Sequence, residues 1–213
     1  MIPQNAAGRL SMKGLLYKDF INLKQQARYY VMIVGIWAVI SVMNRNPEFF
    51  GGLMAMFCIL MPLTAFAYDE KAGWDKYALT MPVTRRKLVV SRYVFGLLIL
   101  SVSAVLTLAV CLAENMGLTE VLVMIAVLGS IGMICVAFTF PVVLRFGAEK
   151  ARTVLILIVL IPIACGLVAE QAGIQLPDGA SLERMIWLLP VSAMAGLLVS
   201  LGCSMRIYEK KEF

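Results

Sequence analysis

The chain has 213 residues, of which 61% are hydrophobic and only 15% charged. A soluble domain runs at about 45–50% apolar and about 25% charged, so too little polar surface is present to clothe a water-soluble fold. The chain has no histidine, which excludes imidazole general bases, His-ligated metals and triads that need one. No GxxxxGK[ST] motif occurs, so the chain does not cradle nucleotide phosphates in a P-loop. Cys58, Cys111, Cys135, Cys165 and Cys203 all lie in apolar runs with no CxxC pair, and read as small packing residues.

Residues 1–11 are polar, with no apolar core ahead of a cleavage site, and read as an expression remnant or an upstream start. From Met12 the pattern becomes regular. Met12, Leu16, Phe20, Leu23, Ala27 and Tyr30 recur every three or four positions, while Lys13, Lys18, Asp19, Asn22, Lys24 and Gln25 take the other faces. This spacing predicts an amphipathic helix over 12–28 in the membrane interface, either an anchor for anionic lipid or an elbow bracing moving parts.

A bilayer core about 30 Å thick takes about 20 apolar residues of helix. Six runs are predicted to span it: 29–44, 49–68, 93–113, 121–144, 153–169 and 185–205. The first and fifth are short and need Arg28, Arg45 and Arg152 to snorkel. The expected fold is therefore an all-α membrane protein with a single six-span domain over 29–213. Seventeen of the 19 basic residues fall before span 1, between spans 2 and 3, between spans 4 and 5, and in the tail. The opposite side keeps only Arg45 and Arg184. The positive-inside rule places both termini in the cytoplasm, and it accounts for the net charge of +6 without any nucleic acid.

The connection between spans 2 and 3 is long and heavily decorated. Trp74, Tyr77 and Ala78 share one face of a short predicted helix, and Asp75, Lys76 and Leu79 point elsewhere. Pro82 stops that helix, and Thr84 is the N-cap expected for the next one. Aromatics and charges hung between two spans suit either docking onto a cytoplasmic partner or interfacial anchoring.

The run Tyr68-Asp69-Glu70-Lys71, Gly73-Trp74-Asp75-Lys76-Tyr77 and Met81-Pro82-Val83-Thr84-Arg85-Arg86-Lys87-Leu88-Val89 resembles the small six-span permeases of type-2 ABC transporters (ABC-2). The opening Met12-Lys13-Gly14-Leu15-Leu16-Tyr17-Lys18-Asp19-Phe20 is similar to the start of the same subfamily. The resemblance covers the chain from Met12 onward. It implies a permease, in the bacterial cytoplasmic membrane, that exports hydrophobic or amphipathic substrates, peptides above all, by alternating access. Antimicrobial and phenol-soluble modulin-type peptides are among the cargoes of similar permeases. The resemblance also implies two copies of a separate ATPase that binds ATP and Mg, and a second permease copy or sister permease. This chain would then bind no cofactor and no metal and have no catalytic residue. The coupling role carries onto 73–79, with Asp69, Glu70, Gly73, Trp74, Asp75, Lys76, Tyr77, Arg85 and Arg86 as the ATPase-coupling residues. The loop over 170–184, with Pro177, Asp178 and Gly179, is too short for the large extracellular domain of bigger relatives.

Ser192, Gly196, Ser200 and Ser204 put a small residue at every fourth position of span 6, for packing within the subunit or for a dimer contact. Pro62, Pro141, Pro162 and Pro190 are expected to bend their spans or simply to be tolerated there. Glu114, Glu120 and Glu170 sit at outer span ends, so no midplane carboxylate points to proton coupling. The competing reading is a non-transporting membrane scaffold or immunity protein that sequesters a peptide. It shares every span and differs only in needing no ATPase. An intramembrane protease is disfavoured, because the isolated Ser, Thr and Cys have no visible base.

Overall fold

The computed structural model describes residues 12–80, 84–171 and 179–210. The expectations for residues 1–11, Pro82, Pro177 and Asp178, and for the side chains of Asp75, Lys76, Pro162, Glu170 and Arg184, lie outside the described residues. Regular structure among the described residues is entirely helical, as the composition required. The helices are α1 (Met12–Asn44), α2 (Pro47–Lys71), α3 (Trp74–Leu79), α4 (Arg85–Ala113), α5 (Leu118–Phe146), α6 (Ala148–Gln171) and α7 (Gly179–Lys210).

Five helices, α2 and α4 to α7, are long and apolar enough to cross a membrane. The predicted first span is different. Among the described residues of α1 the apolar stretch is Arg28–Asn44, shorter than the other five. The predicted interfacial helix over 12–28 is not a separate element either: α1 runs unbroken for 33 residues. No proline lies in 12–44, so nothing removes a donor from the hydrogen-bond ladder at the expected junction. By length and composition five helices are thus candidate spans, one fewer than the six runs expected.

Local signals set the helix ends. Pro47 occupies the first turn of α2, and the Asn46 side chain accepts from the Phe49 N–H at 3.4 Å. Thr84 is the N-cap of α4 as expected, its Oγ1 accepting from the Lys87 N–H at 3.4 Å. Gly147, at φ +90°, ends α5 in a conformation that L side chains rarely adopt. Pro62, Pro141 and Pro190 sit inside continuous helices.

Helices α2, α4, α5 and α7 form the packed body, and α6 is the least buried of the five spans. The largest buried cluster joins Leu63 and Phe66 of α2, Val89 and Tyr93 of α4, Phe140 and Val143 of α5, and Leu197 and Tyr208 of α7. The Phe140 ring stands edge-on to Phe66 at 5.2 Å and to Tyr93 at 4.9 Å. Gly96 lets α4 approach that ring, since a Cβ there would lie 3.1 Å from Phe140 Cζ. A second cluster of Phe50, Met54, Phe57 and Val110 packs against Trp37 and Val34 of α1.

The Tyr93 hydroxyl sits 2.7 Å from Ser200 Oγ and 2.8 Å from Ser204 Oγ, and Ser200 also donates to the Ala137 carbonyl. These buried bonds tie α4, α5 and α7 together at one level. Tyr93→Phe is expected to cost about 1 kcal/mol, the value of a polar contact between membrane helices, and Tyr93→Ala about 3–5 kcal/mol through the cavity it leaves. Reversible unfolding in mixed micelles measures both; equal costs would mean that the ring and hydroxyl have been wrongly apportioned.

Candidate functional site: a charged junction beneath a short helix

The last turn of α2, the short α3 and the first turns of α4 meet the N-terminal part of α1. Four charged side chains converge there. Lys18 Nζ lies 2.7 and 2.6 Å from the two Asp69 carboxylate oxygens and 3.2 Å from Asp19 Oδ1. Arg92 donates to Asp19 at 3.0 Å through one guanidinium nitrogen and to Asp69 through the other. Asp19, Asp69 and Arg92 are 1%, 6% and 7% exposed, so the carboxylates are far from bulk water. Two cations against two carboxylates make the cluster neutral, as burial of this depth demands. The Arg92 guanidinium also stands 4.9 Å over the Phe66 ring.

Amphipathic spacing puts Lys18 and Asp19 on the wet face of an interfacial helix. The structure corrects this, because Asp19 faces inward beside Leu15, while Tyr17, Phe20 and Ile21 are exposed. Arg92 falls by sequence in the connection ahead of the predicted span 93–113, yet it lies in the third turn of α4, between buried Ser91 and Tyr93. A lone arginine inside the run Leu88-Val89-Val90-Ser91-Arg92-Tyr93-Val94 was the available signal. A cation there faces hydrocarbon unless it finds a partner.

Helix α3 hangs from this junction. Gly73 turns the chain in the left-handed region at φ +61°, with the Ala72 N–H bonded to the Tyr68 carbonyl at 2.9 Å. Trp74 is half-buried, packs on the main core, and has Lys18 Nζ 4.3 Å from its ring centre. Its indole N–H is buried with no acceptor among the described residues. Ala78 is buried, whereas Tyr77 is exposed and lies 5.7 Å from the Trp74 ring. The predicted shared face therefore divides, with Trp74 and Ala78 directed inward and Tyr77 outward. Backbone positions 75 and 76 lie within α3.

The flanking residues reach the other spans. One Glu70 oxygen accepts from the Ala148 N–H at 2.7 Å, capping the start of α6. Arg85 donates to the carbonyls of Tyr208 and Glu209 at 3.2 and 2.8 Å, at the end of α7 where carbonyls lack helical partners. Arg86 pairs with Glu209 at 2.7 Å in an exposed bridge. A cavity of about 270 Å³ lies against the junction, lined in part by Asp69, Arg92, Gly147 and Tyr208. Of the small-residue stripe on α7, Ser200 and Ser204 are the buried partners of Tyr93, whereas Ser192 and Gly196 are exposed. Among the described residues no group of three or more Cys, Asp and Glu side chains is arranged to hold a metal.

Removing one member of a buried ionic cluster strands the others. Arg92→Met is expected to lower stability by about 3–5 kcal/mol, and adding Asp19→Leu to restore part of it, leaving Lys18 paired with Asp69. A double-mutant cycle on purified protein checks this, and strict additivity would contradict a shared network. Gly147→Ala places a Cβ 2.6 Å from Glu70 Oε1 at a positive φ. Its expected cost is about 1–2 kcal/mol from backbone strain alone, read as a lowered melting temperature.

Comparison with known proteins gives a family. No curated protein matches the chain. The family model described as "ABC-2 family transporter protein" matches residues 14–209, which takes in every helix of the bundle and the junction beneath α3. The chain thus belongs to the ABC-2 transporter family, as a multi-pass membrane component of a transporter.

Proposed function

We propose that the chain is the permease subunit of an ATP-binding cassette exporter, and that α3 is the element through which a separate ATPase drives it. One observation carries this reading. A six-residue helix presents Tyr77 to solvent while Trp74 is clamped against Lys18, and the charges behind it join α1, α2 and α4. A displacement of α3 would thus be felt by three helices at once, and through Glu70 and Arg85 by α6 and α7.

The proposed assembly has two ATPase subunits that bind ATP and Mg, and a second permease copy or sister permease. The basic end, with both termini, faces the cytoplasm. Residues 28–44 of α1 complete a sixth span, about 26 Å long at 1.5 Å per residue, with Arg28 and Arg45 snorkelling at its ends. The proposed cargo is hydrophobic or amphipathic, best represented by a peptide, entering from the cytoplasm or inner leaflet and leaving by alternating access.

The test is ATP hydrolysis by the complex with its ATPase, with and without an amphipathic peptide. Tyr77→Ala is expected to leave the melting temperature unchanged and to lower peptide-stimulated hydrolysis about tenfold, as loss of an exposed aromatic anchor does. Trp74→Ala is expected to lose stability as well, because it unpacks the junction. Wild-type hydrolysis in a stable Tyr77→Ala complex would overturn the coupling role of α3, and failure of any ATPase to co-purify would leave the non-transporting scaffold as the better reading.

A further inference from the structure

The C-terminal turns of α5 and α7, two helices that pack along each other, open on a cavity of about 450 Å³. Arg145, Arg206, Lys210 and Ile207 line it. The Arg145 guanidinium lies 5.1 Å over the Phe146 ring, and Lys150 Nζ lies 5.7 Å from the same ring. Among the described residues no carboxylate comes within 4.0 Å of Arg145, Arg206 or Lys210. Glu209, the sequence neighbour of Lys210, is taken by Arg86 at 2.7 Å. A basic residue in the last turn of a helix is ordinary, because the C-terminus carries partial negative charge. Two such turns side by side, however, gather three cations around one space, and an anion entering it relieves their repulsion.

The cavity also has an apolar approach. Gly202 and Cys203 follow Val199 by three and four positions and precede Arg206 by four and three, so the four share one exposed face of α7 inside a candidate span. Nothing stands within 4 Å of a Cβ built at Gly202, so the face is open beside the helix backbone. A cation cluster at the end of an open apolar strip matches a molecule with an anionic head and a hydrocarbon tail. A protein docked on this end of the bundle would meet the cations and leave the strip unused.

We propose that this cavity binds an anionic phospholipid. Its phosphate is held by Arg145, Arg206 and Lys210, and one acyl chain lies along the face of α7 that carries Val199 and Cys203. Guanidinium groups suit the task, since their planar forks meet phosphate oxygens in pairs. Basic pockets between membrane helices take such headgroups for the same reason.

The experiment uses the permease alone, in nanodiscs mixing phosphatidylcholine and phosphatidylglycerol of equal chain length. Native mass spectrometry counts the phosphatidylglycerol that stays bound on release. The Arg145→Gln, Arg206→Gln, Lys210→Gln variant is expected to weaken retention at least about tenfold. The charge-matched Lys24→Gln, Lys71→Gln, Arg152→Gln variant is expected to stay within about twofold of wild type. Equal losses in the two variants, or none in the first, would overturn the site. So would release of the lipid from wild type by millimolar inorganic phosphate, which would mark an anion site without a chain. Photoactivatable phosphatidylglycerol on wild type needs no variant to fold; labelling within 199–210 is expected, and labelling confined elsewhere overturns the proposal. No ATPase enters the lipid measurements, so their failure leaves the coupling reading untouched.

Discussion

Four charges that cannot be left alone govern this structure. Lys18, Asp19, Asp69 and Arg92 come from α1, α2 and α4, and three of them are almost wholly removed from water. A single ion in that position costs several kcal/mol, whereas a neutral set in which each charge meets an opposite one is tolerable. The consequence is geometric. The three helices must meet at that level and in that register, because any shift that parts one pair leaves another charge unpaired. Apolar packing around Phe66 and Phe140 supplies most of the bulk, but apolar surfaces slide more readily than ion pairs do.

The remaining polar contacts at this end extend the constraint outward. Glu70, one residue after Asp69, caps α6, and Arg85, two turns before Arg92, satisfies the last carbonyls of α7. Tyr93, next to Arg92, bonds Ser200 and Ser204 deeper in the bundle. Neighbouring residues on α2 and α4 therefore face different partners, as helical geometry requires of adjacent positions. The opposite end is lightly tied by comparison: Ser41 bonds Glu114 at 3.1 Å and the Asn46 carbonyl at 3.0 Å. Cohesion is concentrated at the end that carries α3, and the cavity beside the junction leaves room for that end to rearrange.

Much of the architecture was legible because membrane helices announce themselves by length and apolarity. Five candidate spans among the six runs expected, the short helix after Gly73, the Thr84 cap and the ABC-2 resemblance were all readable from residue types and spacing. The junction was not. Amphipathic spacing assigns polar residues to water by default, so Lys18 and Asp19 were read as solvated. Counting Arg92 among topology charges hid its position inside an apolar run. The stripe on α7 was legible as a stripe, yet spacing could not separate inward Ser200 and Ser204 from exposed Ser192 and Gly196. Trp74 and Tyr77 divide in the same way, since sharing a helix face does not decide which edge of it meets the core.

The sequence by itself determined the all-helical class, the membrane setting, the placement of charge along the chain and the family. Each of these follows from summed properties such as hydropathy, cation count and motif, and none depends on which distant residues touch. The tertiary structure alone decided that Lys18 and Asp19 of α1 meet Asp69 and Arg92, that α1 passes through the expected elbow without a break, and that Arg145, Arg206 and Lys210 surround one cavity. Pairings across 51 and 73 residues depend on how helices cross. Crossing is set by the joint packing of many side chains, a property that no local window of sequence contains.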